Sequence, residues 1–408
     1  MNCRFCGKTL SHEFIDLVNA PPSNAFLTEA QLDEPEVFYP LKLFVCDSCF
    51  LVQIDEYRKS HDIFDSDYVY FSSFSQTWLN HAREYADMMV EKYGYGPDNL
   101  VVEIASNDGY LLQYFQARGI PSLGIEPAEG TAAAARKKGI ESIVDFFGRR
   151  LARDLAEQGR QADLLIGNNV LAHVPDLHDF VAGLKLALKP AGIITMEFPH
   201  LMRLVDHCQF DTIYHEHFSY LSLTTVRAIF SRHGLEIFDV EALPTHGGSL
   251  RIYAKHAEDF TRAASARVDT LLEKEKSKGL DALPYYQGFQ EKADRIKHRL
   301  LQFLIAQKQE RRKVAAYGAA AKGNTLLNYC GVRKDLLTFV VDASPHKQGK
   351  YLPGSHVPVV SEEAIRESKP DYVLILPWNI KEEIMTQLDY VRAWGGQFVV
   401  PIPDVQVA

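Results

Sequence analysis

Val101-Val102-Glu103-Ile104-Ala105-Ser106-Asn107-Asp108-Gly109-Tyr110-Leu111-Leu112 is the stretch that decides the fold. Residues 100–104 are short, apolar and β-branched, as a buried strand is. Ser106-Asn107-Asp108-Gly109 follows as a tight turn, with Gly109 free to take a left-handed backbone. From Tyr110 the pattern turns helical, with Leu111, Leu112, Tyr114 and Phe115 on one face. Strand, polar glycine-containing turn and helix make the front of a doubly wound α/β domain.

Working outward, Leu123-Gly124-Ile125-Glu126 reads as the next strand, ending in an acid placed to bond ribose hydroxyls. The turn is no phosphate cradle: it has a single glycine, and no Lys-Ser/Thr follows. Glu103 and Asp108 would repel a pyrophosphate but suit an ammonium group, which points to S-adenosylmethionine rather than a nicotinamide dinucleotide. The competing reading is an ordinary strand with a solvated turn. Residues 132–138 (helix) and 140–144 (strand) continue the unit. Asp145-Phe146 then offers a carboxylate and a ring to an adenine. A fourth strand at 162–167 runs into Asn168, Asn169 and His173, at the end where such sheets bind ligands. A helix at 177–188, a strand at 192–197, a helix end and strand over 230–243 and a strand at 250–255 complete a seven-stranded sheet with a hairpin edge.

Cys3, Cys6, Cys46 and Cys49 form two Cys-x-x-Cys pairs. Two such knuckles supply four thiolates to one tetrahedral Zn2+, with no position left for chemistry. The metal is expected to fix a lobe too small to fold on its own core. A redox role would need one exposed pair at a helix start, not two. Asp67-Tyr68-Val69-Tyr70-Phe71-Ser72-Ser73 precedes a helix from about residue 75 to 92, and is either a lid over a pocket or packing between lobes.

Phe210-Asp211-Thr212-Ile213-Tyr214-His215-Glu216-His217-Phe218-Ser219-Tyr220 carries more ionisable chemistry than a loop needs. Histidine is the side chain most easily poised as a base near neutral pH. Metal binding by His-x-His and a structural role stay open. Residues 258–312 read as two long charged helices, around 260–278 and 290–309, taken as a connector. From Lys313 a second strand, turn, helix, strand-with-acid order begins: residues 314–317, Gly318 to Thr325, then 339–342 ending in Asp342. A third strand at 372–376 leads into Pro377-Trp378-Asn379. The loops here are basic (Lys322, His346, Lys347, Lys350), which suits an anion such as a nucleotide diphosphate.

The chain is long enough for two to four domains at 408 residues, and its net charge of −9 opposes a nucleic-acid partner. No apolar run approaches about 18 residues, so no membrane span is expected. The start is not a signal peptide, and reduced cysteines place the protein in the cytoplasm.

Taken together, these motifs closely resemble the bacterial nucleotide-diphosphate-sugar C-methyltransferases, which act on 4-keto-deoxysugars. The resemblance covers nearly the whole chain: the cysteine pairs, Asp67-Tyr68-x-Tyr70-x-Ser72-Ser73, Glu103 to Gly109, Tyr214 to Phe218, His246-Gly247-Gly248 and Gly318-x-x-x-Lys322-Gly323-Asn324. One departure is Ala105, where Gly is common; Ala fits if the backbone there is not left-handed. The resemblance implies a zinc-binding lobe and lid (1–74), a Rossmann-like class I methyltransferase domain (75–257), the helical connector (258–312) and a C-terminal Rossmann-like domain that helps hold the nucleotide sugar (313–408).

It also implies His217 as general base. Tyr214 and His173 would orient the sugar or steady its enolate, Tyr70 would close the lid, and Glu216 would orient a histidine or bond a sugar hydroxyl. S-Adenosylmethionine would meet Glu103, Ala105, Ser106, Asn107, Asp108, Gly109, Glu126, Asp145, Phe146, Asn168 and Asn169. The substrate would meet Tyr68, Ser72, His246, Lys322, Asn324, Lys347, Trp378 and Asn379. The expected assembly is a monomer or weak dimer. Rival readings are O- or N-methylation of a small molecule, a zinc-bearing nucleic-acid module, and a scaffold that binds the cofactor without turnover.

Overall fold

β1 (His12–Ala20) and β2 (Tyr39–Val45) bury their apolar residues against the body of the molecule. In β2 the alternation is clean: Leu41, Leu43 and Val45 point inward. β3 (Val52–Ile54) completes an antiparallel run. The computed structural model describes residues 1–57, 59 and 71–408. The expectations for Asp67, Tyr68 and Tyr70 therefore lie outside the described residues. α1 (Gln76–Tyr93) starts on Ser75, whose side chain accepts from the Trp78 amide, and stops at the left-handed Gly94. Both are ordinary helix start and stop signals.

The middle sheet is the expected one. β4 (Val101–Ile104), β5 (Ser122–Ile125), β6 (Glu141–Ile143), β7 (Ala162–Asn168) and β8 (Leu188–Pro199) run parallel. One strand, β9 (Ser219–Tyr220), leaves this lobe and pairs with β3, so the Tyr214–Tyr220 stretch is stitched to the N-terminal sheet. After α2 (Leu223–Arg232), the hairpin β10 (Leu235–Leu243) and β11 (Ser249–His256) lies antiparallel on β8. The order β10-β11-β8-β7-β4-β5-β6 puts the ends of β4 and β7 at the centre, where the order reverses and a crevice opens.

Residues 258–312 do more than connect. α3 (Ala266–Lys278) buries Glu275, whose carboxylate accepts from the Leu223 and Thr224 amides and from the Thr224 hydroxyl, and pairs with His200 at 2.7 Å. It thereby caps α2 from outside. α4 (Phe289–Gln309) stacks Phe289 on Phe14 of β1 with centroids 4.7 Å apart. One apolar core joins β1–β3, α4 and the C-terminal lobe. Emptying the Phe289 position would cost about 3–5 kcal/mol.

In the C-terminal lobe β12 (Val314–Tyr317) leads into α5 (Ala321–Cys330). β13 (Val340–Val341), β14 (Val359–Val360), β15 (Tyr372–Ile375) and β16 (Gln397–Val400) run parallel, and β17 (Gln406–Val407) closes the edge antiparallel. Among the described residues no helix is long and apolar enough to cross a membrane.

Candidate active site

The turn after β4 alternates its backbone. Ala105, Asn107 and Gly109 have φ of +56°, +51° and +74°. Ala105 is thus left-handed, contrary to the condition under which alanine was expected to fit. An L-residue there costs about 1–2 kcal/mol. Glu126, at the tip of β5, holds the turn by accepting from the Asn107 and Ala128 amides, each at 2.9 Å. Ser72 donates its amide to Asn107 Oδ1 at 2.9 Å, and Lys138 ties Ser73 Oγ to Asp108. Ser106 is buried beneath the turn.

Glu103 is fully buried, with the Tyr110 hydroxyl beside its carboxyl. Burial pushes its carboxyl well above the usual range, and the Tyr110 hydroxyl beside it offsets this only in part. A buried acid without a counter-charge is costly, and a cationic ligand would relieve it. Asn168 donates to the Tyr110 hydroxyl at 3.3 Å, and Asn169 donates to His246 at 3.1 Å. At the far edge Asp145 pairs with Arg150, and Phe146 stands open on the surface. The buried acid and the open ring are compatible with S-adenosylmethionine, while both Glu126 oxygens are taken by the backbone of its own turns.

Beyond Asn169 the histidines converge. The His217 ring lies 4.6 Å from Tyr214, 4.6 Å from His173 and 6.2 Å from Tyr220. Burial, with His173 and His246 as neighbours, holds the His217 imidazole well below its ordinary pKa. Burial takes His173 to about 4; burial, and then Lys322, take His246 to about 4. All three rings are therefore neutral near pH 7. His215 turns away, against the Tyr39 carbonyl. Glu216 accepts from Asn24, on the N-terminal lobe, at 3.1 Å.

The C-terminal lobe closes the third side. Thr325, on α5, donates to the Ile213 carbonyl at 2.9 Å, so the helix start abuts the catalytic stretch. Trp378 donates to Asp211 at 2.6 Å, and Lys322 donates to Asn379 at 2.6 Å while lying over the Trp378 ring. Burial raises the Asp211 carboxyl to about 6 and lowers the Lys322 amine. Trp378 packs so close to Gly247, at φ +89°, that a Cβ there would meet its ring at 2.5 Å. Asn324 is buried with its Nδ2 unpaired. Lys347 pairs with Asp342 at 3.2 Å and with the Ala319 carbonyl at 3.0 Å.

At the opposite end the sulfurs of Cys3, Cys6, Cys46 and Cys49 all lie within 4.8 Å of one another. The two knuckles bend at matching points, Gly7 (φ +77°) and Phe50 (φ +58°). Four convergent thiols at this spacing fit tetrahedral Zn2+.

Three family descriptions match the chain: "Putative zinc binding domain" over residues 3–64, "Methyltransferase domain" over 80–240 and "C-methyltransferase C-terminal domain" over 244–403. C-methyltransferase NovU of Streptomyces niveus is 33% identical over 405 residues, spanning 99% of this chain and 96% of that protein. This chain belongs to the C-methyltransferase family. It is an S-adenosylmethionine-dependent C-methyltransferase with a zinc-binding lobe. A solved S-adenosylmethionine-dependent methyltransferase of Clostridium acetobutylicum ATCC 824 overlays with a TM-score of 0.35 at 12% identity, covering 43% of this chain and 92% of its own. Magnesium protoporphyrin IX methyltransferase of Synechocystis PCC 6803, solved with bound cofactor, does so with a TM-score of 0.33 at 16% identity, covering 48% and 88%.

Several residues at this C-methyltransferase site carry no motif of their own. Asn24 reaches Glu216 from a loop between β1 and β2, Asp211 grips Trp378 across the lobes, and Trp78 stacks on the buried Tyr110. Only the helical spacing of Trp78 and the position of Tyr110 after the turn could have marked them.

Proposed function

We propose that this C-methyltransferase acts on a nucleotide-diphosphate-linked 4-keto-deoxysugar, at the carbon beside the ketone, C3, in the making of a branched-chain deoxysugar. The supporting observation is His217: a neutral imidazole 4.6 Å from both Tyr214 and His173, at the junction of all three lobes. Burial keeps the imidazole unprotonated at neutral pH, so its lone pair is available to the substrate proton, at some cost in base strength. His217 removes the proton next to the ketone, and the electron pair moves onto the carbonyl oxygen as an enolate. Tyr214 and His173 face that oxygen and steady its charge. The nucleophilic carbon would then be presented to the methyl donor, whose thioether leaves as the new carbon–carbon bond forms. S-Adenosylmethionine supplies the electrophilic methyl. Held in line by Asn168 and Asn169 on one side and the His217 cluster on the other, the two partners gain from proximity.

Glu216, oriented by Asn24, bonds a sugar hydroxyl. The first turn of α5, with the unpaired Asn324 amide, receives the diphosphate. Lys322, Trp378, Asn379 and Asp211 act as a block that holds this turn against the catalytic stretch, and Lys347 balances Asp342 behind it. His246 and Ser72 line the way in, with Tyr68 and Tyr70 in the roles given above. The protein works in the cytoplasm, with no nucleic-acid or membrane partner, as a monomer or weak dimer.

The experiment is a mass-spectrometric screen of nucleotide keto-sugars with S-adenosylmethionine. A gain of one methyl on carbon, by fragmentation, is expected. Methyl transfer only to oxygen or nitrogen acceptors would refute the reading.

A further inference from the structure

Trp78, on the first turn of α1, has no part in the roles above, yet it stands at the methyl-donor end of the crevice. Its ring centroid is 5.9 Å from Tyr110, nearly parallel at 26°, and 5.2 Å from His246. Tyr110 directly follows the turn of β4, and its hydroxyl meets Asn168 at the end of β7. These rings therefore adjoin the ends of β4 and β7, with His246 bonded to Asn169 and neighbouring His217.

The plane of Trp78 is fixed from behind. His81 stacks on it at 4.9 Å and 21°, and Glu197 holds His81 at 2.9 Å. Glu197 also accepts from Thr245 at 2.8 Å and from Arg251 at 3.0 Å, so this support is itself anchored on β8 and β11. The buried carboxyl of Glu103 lies beside the Tyr110 hydroxyl. Rigid aromatic faces favour a cation over a neutral group of the same shape.

We propose that Trp78, with Tyr110 and His246, forms an aromatic wall that binds the sulfonium of S-adenosylmethionine in preference to the neutral thioether of S-adenosylhomocysteine. His246 is neutral and does not repel that charge. The wall grips the donor and loosens once the methyl has left, so it favours exchange of spent cofactor for fresh. This concerns the cofactor alone and stands whatever the methyl acceptor is.

Calorimetric titration of the zinc-loaded full chain tests it, with S-adenosylmethionine, S-adenosylhomocysteine and sinefungin, which carries an amine in place of the sulfonium. Trp78→Leu is expected to weaken S-adenosylmethionine and sinefungin about tenfold and S-adenosylhomocysteine less than about twofold. Trp78→Phe keeps an aromatic face and should lose only about threefold, again selectively. Equal losses for charged and neutral cofactors would make the ring mere packing and overturn the proposal; so would no loss for either, the result expected if Trp78 served the acceptor. If Trp78→Leu fails to fold, an unchanged affinity ratio in Trp78→Phe and in His246→Leu overturns it equally.

Discussion

In the middle lobe the first strand runs into a turn with Ala105 at φ +56°, and the acid at the tip of the second strand, Glu126, accepts from the Asn107 amide. In the C-terminal lobe the turn has Gly318 at φ +93°, and Asp342 accepts from the Ala319 amide at 2.8 Å. The scaffold is the same to that point. The middle lobe then keeps Glu103 buried beside the Tyr110 hydroxyl, with no cation among the described residues to balance it. The C-terminal lobe balances Asp342 with Lys347 and lays Pro377 so close over its turn that a Cβ on Gly318 would meet that ring at 2.2 Å. One lobe leaves a buried acid facing its crevice, and the other balances its acid and keeps the unpaired Asn324 amide on the first turn of α5. Repeating a strand–turn–helix order does not repeat a binding site; the charges left unpaired at the strand ends decide that.

The largest effect that would sharpen this contrast is on catalysis. His217→Ala should lower turnover by about 10²–10⁴-fold, with S-adenosylmethionine affinity unchanged in a calorimetric titration. Loss of cofactor binding in that variant would make His217 structural. Because burial holds its pKa well below the ordinary imidazole value, the acid limb of the rate profile should fall below about pH 6.5, where a solvated imidazole titrates. A limb at or above that pH would contradict a buried base.

Next is the metal. Cys46→Ser, or a strong chelator, should lower the unfolding temperature by roughly 10 °C or more before any direct effect on chemistry, because the knuckles pack on the middle-lobe core. An unchanged transition would remove zinc from the fold.

Two acids at non-equivalent positions, one in each lobe, sharpen the contrast. Glu103→Gln should weaken S-adenosylmethionine markedly, whereas Asp342→Asn should leave its affinity intact and cost only about 1 kcal/mol of stability. The folded-state pKa of Glu103 lies above its unfolded value, so the folded protein holds a proton that the unfolded chain releases. Its contribution to stability is therefore full below about pH 4.3 and is lost as pH rises through the raised value. Cofactor-free protein should melt lower as pH rises through that range, and Glu103→Gln should flatten the trend. The smallest expected effect is Ala105→Gly, which relieves a left-handed alanine and should raise stability by about 1 kcal/mol or less. The matching change in the other lobe, Gly318→Ala, should destabilise sharply, since its Cβ has no room.

Much of this was legible in the sequence. The apolar runs around 101–104, 162–167 and 314–317 gave both α/β lobes because buried parallel strands leave a local, continuous trace. The cysteine pairs gave the zinc site because knuckle spacing is local too. The left-handed Ala105 was not legible, since nothing in an alanine side chain reports a strained φ. Nor was the pairing of Ser219–Tyr220 with β3, or the reach of Asn24 to Glu216: contacts across most of the chain follow no periodicity. The helices at 258–312 looked like a connector because their exposed faces are charged, while the buried Glu275 and the Phe289 stack are single residues within that pattern.

Solvent deuterium exchange into a nucleotide-linked 4-keto sugar, with S-adenosylmethionine left out, tests the central claim most directly. The wild-type protein should introduce deuterium at the carbon beside the ketone, and His217→Ala should not. Exchange that proceeds equally well without the imidazole, or a wild type that methylates the sugar on carbon yet never exchanges that hydrogen, would contradict the account.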